Sequence, residues 1–287
     1  MSVIENSLEK LRRAAASGKE PGTAAVALPG AVRTESVAEL HVHKRTSLDF
    51  ARLRAAGYLP EQGLERRFAE YCHRIKRPLI ERALAPGAAP DARLILLTSA
   101  LPGDGKTFIA LSVALSMARE RDISVLLVDG DLPKAQITRV AGLHGEPGLL
   151  DALKDDHLDV ESLVLDTDVA NLEILPAGSP SEGTAELVAS ARMRDIAARL
   201  IGRNARRLVL FDSPPLLVSG EARALLPIPG QIVLVARTAH TPQAAITEAI
   251  GLIDKKKLQG LVVNDAPVSR SDHGYYYDYG STEGAKI

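Results

Sequence analysis

The run Leu94-Ile-Leu-Leu97 leads into Ala100-Leu-Pro-Gly-Asp-Gly-Lys-Thr107, and a helical pattern follows over residues 108–119. A strand, a glycine turn and a helix start in that order make a strand–loop–helix unit of the phosphate-binding kind. The segment fits G-x-x-x-x-G-K-[ST] except that Ala100 stands at the first position. Gly103 and Gly105 let backbone N–H groups turn toward an anion, and the helix start adds its positive end. In such a loop Lys106 reaches the β- and γ-phosphates of a nucleotide, and the Thr107 hydroxyl ligates Mg²⁺.

The rest of the chain alternates strand-like and helix-like stretches up to about residue 266. Candidate strands are residues 93–97, 124–128, 172–175, 208–211, 231–235 and 261–263. Their continuous apolar runs indicate an α/β fold of the P-loop NTPase type, with a mainly parallel sheet covered by helices on both faces. Ligands of such sheets gather at the carboxyl ends of the strands. The chain has 287 residues, 46% of them hydrophobic, which is enough for one α/β core with appendages.

Ahead of the core, Ile4, Leu8, Leu11 and Ala15 recur at helical spacing, so residues 1–16 are expected to form a short docking helix. Residues 17–60 carry no sustained periodicity and are expected to be a largely disordered linker. Leu64, Phe68, Cys72, Ile75 and Leu79 then predict a leading helix over residues 61–84, kinked or ended by Pro78. Its basic residues Arg66, Arg67, Arg74, Lys76 and Arg77 form either a solvated face or an oligomer contact. The P-loop domain, this helix included, is thus expected over residues 61–266.

Composition excludes several function classes. A net charge of −1 argues against a nucleic-acid binder. A single cysteine, Cys72, permits no internal disulfide and suits a reducing cytosol. No uninterrupted apolar run reaches the ~20 residues that span a bilayer, so any membrane role is expected to come through a partner.

Two further strands end in carboxylates. Val125-Leu-Leu-Val128 is followed by Asp129-Gly-Asp131, and Leu208-Val-Leu-Phe211 by Asp212-Ser-Pro-Pro215. Taken singly, an Asp at a strand end more often caps a helix or forms a turn. Two such ends behind a phosphate loop instead point to a cation site on the same edge as Lys106. A carboxylate there can also accept a proton from an incoming hydroxyl.

These three segments resemble the Walker A, A′ and B motifs of bacterial tyrosine kinases, P-loop autokinases tied to capsule and exopolysaccharide export. Pro147-Gly-Leu-Leu-Asp151, Leu175-Pro-Ala-Gly178 and Gly260-Leu-Val-Val-Asn264 support the resemblance, which covers roughly residues 66–287. More narrowly, the chain start, Arg74-Ile-Lys-Arg-Pro78 and Gly230-Gln-Ile-Val-Leu-Val235 are similar to the subgroup associated with exosortase (PEP-CTERM) loci. The resemblance implies ATP and Mg²⁺ as cofactors, with cofactor contacts at Pro102, Gly103, Asp104, Gly105, Lys106, Thr107 and Phe108 and Asn264 near the adenine. It implies Lys106, Asp129, Asp131 and Asp212 as catalytic residues, and Thr107, Asp129 and Asp212 as metal positions. Either Asp129 or Asp131 would assist deprotonation of the acceptor tyrosine.

The acceptor is expected in the chain itself. Four of six tyrosines, Tyr275, Tyr276, Tyr277 and Tyr279, fall in the final 13 residues among Gly, Ser, Asp and His. Such a segment builds no core, and residues 267–287 are expected to form a mobile, accessible tail. By family analogy the tail of one subunit enters a neighbour's site in a ring-like homo-oligomer. The partner implied is an inner-membrane polysaccharide chain-length or copolymerase protein, which would hold the kinase peripherally at the cytoplasmic side of the membrane.

The chain departs from the family in two places. Asp131-Leu-Pro133-Lys134 lacks the usual Arg after the second Asp of the A′ motif. The oligomerisation motif Glu-x-x-Arg-x-x-Arg is replaced by Glu70-x-x-His73-x-x-Lys76. Two other functions share the fold class. A partition ATPase of the ParA/MinD type would need a second lysine where Leu101 stands, and a non-catalytic nucleotide-binding scaffold would have no need of the intact Lys106, Thr107 and Asp212.

Overall fold

The computed structural model describes residues 44–266. The expected helix over residues 1–16, the first part of the expected linker and the tyrosine tail lie outside the described residues. The chain runs through β1 (Arg45–Thr46), α1 (Phe50–Ala55), α2 (Glu65–Ala83), β2 (Leu94–Ser99), α3 (Lys106–Met117), β3 (Ser124–Asp129), α4 (Gln136–Val140) and α5 (Leu149–Lys154). It continues with β4 (Leu165–Thr167), β5 (Leu172–Leu175), α6 (Thr184–Ala189), α7 (Ala191–Gly202), β6 (Arg207–Asp212), α8 (Gly220–Leu225), β7 (Gln231–Arg237), α9 (Gln243–Leu252) and β8 (Leu258–Asn264).

The eight strands form one sheet in the order β1-β4-β5-β3-β6-β2-β7-β8, parallel throughout except where β4 meets β5. Side chains alternate along each strand. Leu94, Leu96, Leu126, Val128, Val209 and Phe211 therefore enter one core, with Leu150 of α5 and Ile196 of α7. Ile95, Leu97, Val125, Leu127, Leu208 and Leu210 enter the other, with Leu79 of α2 and Val113 of α3. Coverage on both faces is why these strands read as unbroken apolar runs. The same reason makes α3 apolar nearly all round, because it is packed between the sheet and α2.

Three expectations about the N-terminal half are corrected. Residues 44–60 are folded, not linker. β1 pairs with β4, Asp49 caps α1 by accepting from Arg52 N–H at 2.9 Å, and Leu48, Leu53 and Leu59 are buried in the second core. Elements this short carry no periodicity, and their stability comes from the surface they meet.

The leading helix starts at Glu65, after Gly63 turns the chain at φ +91°, and Pro78 does not end it. Pro78 removes one backbone bond, but the buried stripe of Cys72, Leu79 and Ala83 holds the helix on the core past it. Lys76 also leaves the basic face. It is 6% exposed, donates to the Ser116 carbonyl at 2.7 Å and pairs with Glu120 at 2.7 Å.

Candidate active site

The strand order brings the acidic strand ends together. β6 lies between β2 and β3, with Asp212 in register with Leu97 on one side and Asp129 on the other. The Gly130 N–H donates to the Asp212 carbonyl at 2.8 Å, which extends the pairing into the A′ loop. All three strands end on the edge where α3 begins.

The phosphate loop is held by groups far away in sequence. Gly103 and Gly105 take φ +88° and +90°, a left-handed conformation that side chains disfavour. A methyl group on Gly105 would also collide with the Asn264 side chain. Asp104 is buried, and its carboxylate braces the loop: Oδ2 accepts from Leu101 N–H at 3.0 Å and Oδ1 from the Thr241 hydroxyl at 2.6 Å. Asn264 Nδ2 donates to the Asp104 carbonyl at 3.1 Å, and His240 Nε2 lies 3.0 Å from the Pro102 carbonyl. Pro102 itself has no N–H to offer an anion. The Phe108 ring packs edge-on against Phe68 of α2 at 4.9 Å. Asp104, Asn264 and Phe108 thus support the loop with their side chains.

Lys106, Thr107, Asp129, Asp131 and Asp212 form one buried group. Lys106 Nζ lies 2.6 Å from Asp131 Oδ2 and 3.6 Å from Asp212 Oδ1. The Thr107 hydroxyl donates to Asp212 Oδ2 at 2.6 Å. Burial alone would lower the Lys106 pKa, but the pull of Asp212 and Asp131 turns the net shift upward, so the ammonium stays charged. Asp212 is pushed up, first by desolvation, with Lys106 opposing.

Asp129 is set differently. Its Oδ2 accepts from the Thr138 N–H at 2.8 Å and the Thr138 hydroxyl at 2.7 Å, and that hydroxyl in turn accepts from the Ala177 N–H at 2.9 Å. Desolvation, reinforced by the Asp212 charge and opposed by Thr138, lifts the Asp129 carboxyl to about 7. A carboxyl with that pKa exchanges a proton near neutral pH.

Two buried oxygens, Asp129 Oδ1 and Asp212 Oδ1, make no hydrogen bond. Orphaned carboxylate oxygens beside a phosphate loop fit a divalent cation and its waters. Among the described residues no cluster of three or more His, Cys, Asp or Glu has the geometry of a metal cage. A magnesium-type site takes one or two protein oxygens beside phosphate and water ligands. The donor set could therefore hold the phosphates of a nucleotide and one hard cation.

Thr138, His240, Thr241 and Tyr58 join the site through contacts that no local motif marks. The Tyr58 hydroxyl, from the stretch expected to be linker, hydrogen-bonds Gln136 Oε1 on the helix that follows the A′ loop. Lys134 is exposed. Tyr275, Tyr276, Tyr277 and Tyr279 lie outside the described residues.

No family model matches the chain. It is similar to the tyrosine-protein kinase YwqD of Bacillus subtilis, 31% identical over 63% of this chain and 76% of the relative. It is also similar to the putative tyrosine-protein kinase CapB of Staphylococcus aureus, 27% identical over 67% and 83%. The tyrosine-protein kinase wzc of Salmonella typhimurium is 29% identical over 66% of this chain, which spans 26% of that longer protein. Among solved structures the VpsO kinase domain matches with a TM-score of 0.59 at 26% identity, covering 72% of this chain and all of that one. The chimerical protein CapA2B2 matches with a TM-score of 0.61 at 25% identity, covering 78% and 94%.

Proposed function

Because this chain belongs to the bacterial tyrosine-protein kinases, we propose that it is an autokinase that transfers the γ-phosphoryl group of ATP to its own C-terminal tyrosines, Tyr275, Tyr276, Tyr277 and Tyr279. The observation that carries this reading is the convergence of Lys106, Thr107, Asp129, Asp131 and Asp212 on one sheet edge behind a glycine loop.

ATP supplies the activated phosphoryl group, and Mg²⁺ neutralises its charge when bound. Backbone N–H groups from Gly103 to Thr107 bind the phosphates, and Lys106 holds a fixed positive charge beside them. Thr107 and Asp212 orient the cation side of the site. Asp131 holds Lys106 in place through the 2.6 Å contact. The tyrosine oxygen bonds to the γ-phosphorus as the bridge to ADP breaks, and the phenolic proton passes to Asp129 Oδ1. A carboxylate is a weak base against a tyrosine of pKa near 10, so positioning supplies most of the effect.

By analogy with the family, transfer runs in trans within a homo-oligomer, the tail of one subunit entering a neighbour's site. Phosphates added to the tail repel one another and favour its release. The regulated process is exopolysaccharide synthesis or export, at the inner membrane through a separate membrane protein. No helix among the described residues is long and apolar enough to cross a membrane.

The test is incubation with γ-labelled ATP and Mg²⁺ followed by phosphosite mapping, beside Lys106→Ala and a variant with all four tail tyrosines changed to Phe. Label on the tail that both variants lose is expected. Hydrolysis without tyrosine label, even with the partner's cytoplasmic segment added, would point to an ATPase switch.

A further inference from the structure

A groove of about 560 Å³ runs between α2 and the edge strand β8, outside the phosphate loop. Leu64, Tyr71, Leu261 and Val263 line it, and they are four of the seven large apolar side chains exposed among the described residues. Leu64 and Val263 are each about half exposed, at 51% and 52%. Apolar surface concentrated in this way marks a place that something covers. Two cations, Arg67 and Arg74, frame it against one carboxylate, Asp265, which Arg237 pairs at 2.8 Å, and the Arg74 guanidinium already sits 5.9 Å over the Tyr71 ring. The groove therefore suits aromatic rings that carry acidic neighbours.

The chain supplies such an occupant. Ala266 forms part of the groove wall, and the chain continues from it. Tyr275 lies nine residues further on, a reach of up to roughly 30 Å. Residues 271–279 hold four tyrosines and two aspartates with no lysine or arginine. Ring for apolar floor and carboxylate for guanidinium, the segment matches the groove, and its tether makes the local concentration high.

We propose that this groove docks the chain's own segment Tyr275–Tyr279 in cis, so that the tyrosines are stored on the outside of the domain until an exchange presents them to a neighbour. Only their role as acceptors rests on the kinase reading; the docking itself needs no nucleotide.

The experiment uses the full chain, dilute enough to be monomeric by sedimentation and free of nucleotide, with p-benzoylphenylalanine in place of Tyr277. Irradiation of a mixture of light and ¹⁵N-labelled chains, followed by peptide mapping, separates links within a chain from links between chains. Links within one chain to residues 64–75 and 261–263 are expected. Arg67→Glu/Arg74→Glu should reduce them severalfold, Asp272→Lys/Asp278→Lys should do the same, and combining the two pairs should restore them. Links only between chains, links elsewhere, or indifference to both charge reversals would overturn the proposal. Failure of the phosphorylation assay would leave this result unchanged, so the two ideas fail separately.

Discussion

Lys106 Nζ stands 2.6 Å from Asp131 Oδ2, joining the phosphate loop to the A′ loop across 25 residues of sequence. One ammonium therefore offsets the charges of Asp131 and Asp212 in a buried site, with Asp129 beside them as a third acid. Three acids against one lysine leave an excess of negative charge, and a cation bound there would relieve it.

Lys106→Met removes both the phosphate partner and that offset. Autophosphorylation should fall by at least about 10²-fold, the scale of losing one transition-state donor. Stability should drop by roughly 3 kcal/mol at pH ~8 and by less at pH ~5, where the buried carboxyls take up protons. Denaturant melts at the two pH values test this; equal losses would contradict the charge argument.

Asp129 gives a pH signature. Its folded value of about 7 lies above the ordinary 3.8, so between those values the folded chain keeps a proton that the unfolded chain has lost. Stability of the protein without nucleotide or magnesium should therefore fall as pH rises from about 4 to about 7. Asp129→Asn should flatten that part of the curve, and an unchanged slope would place the titration elsewhere.

Gly105→Ala meets two obstacles, the left-handed φ of +90° and the Asn264 side chain. Nucleotide affinity should be lost with little change in global fold. Asn264→Ala alone removes one hydrogen bond to the Asp104 carbonyl, worth about 1 kcal/mol or roughly fivefold in affinity. Adding Asn264→Ala to Gly105→Ala clears the collision but not the backbone strain. Calorimetric titration should show no recovery in the double variant.

Residues 44–60 should behave as part of the domain. Leu53 is 1% exposed, so Leu53→Ala should cost about 2–4 kcal/mol. A chain begun at residue 61 loses Leu48, Leu53 and Leu59 together and should melt well below the full chain. Phe50→Ser, at an exposed position of the same helix, is the control and should be near neutral. Equal melting temperatures for the full and shortened chains would return this stretch to the linker.

The central strands β2, β3, β6 and β7 are legible because burial on both faces makes them apolar at every position. β1 and β4, with two and three residues, are not. They exist because Lys44 O accepts from Asp166 N–H and because Leu48 finds a core to enter. The site divides in the same way. Lys106, Thr107, Asp129, Asp131 and Asp212 could be picked out from strand ends, whereas Thr241 meets Asp104 across 137 positions and no local pattern announces it.

The phosphate loop, the parallel sheet and the residues that gather at its edge follow from local chemistry, because glycine conformation, helix polarity and the period of apolar residues are all set within a few positions. Folding adds that Asp104 turns inward to brace the loop, that Lys76 leaves the basic face, and that Asp129 and Asp212 each keep an oxygen without a hydrogen bond. Those outcomes depend on desolvation and on partners brought together from distant parts of the chain, and such terms are set when the sheet packs.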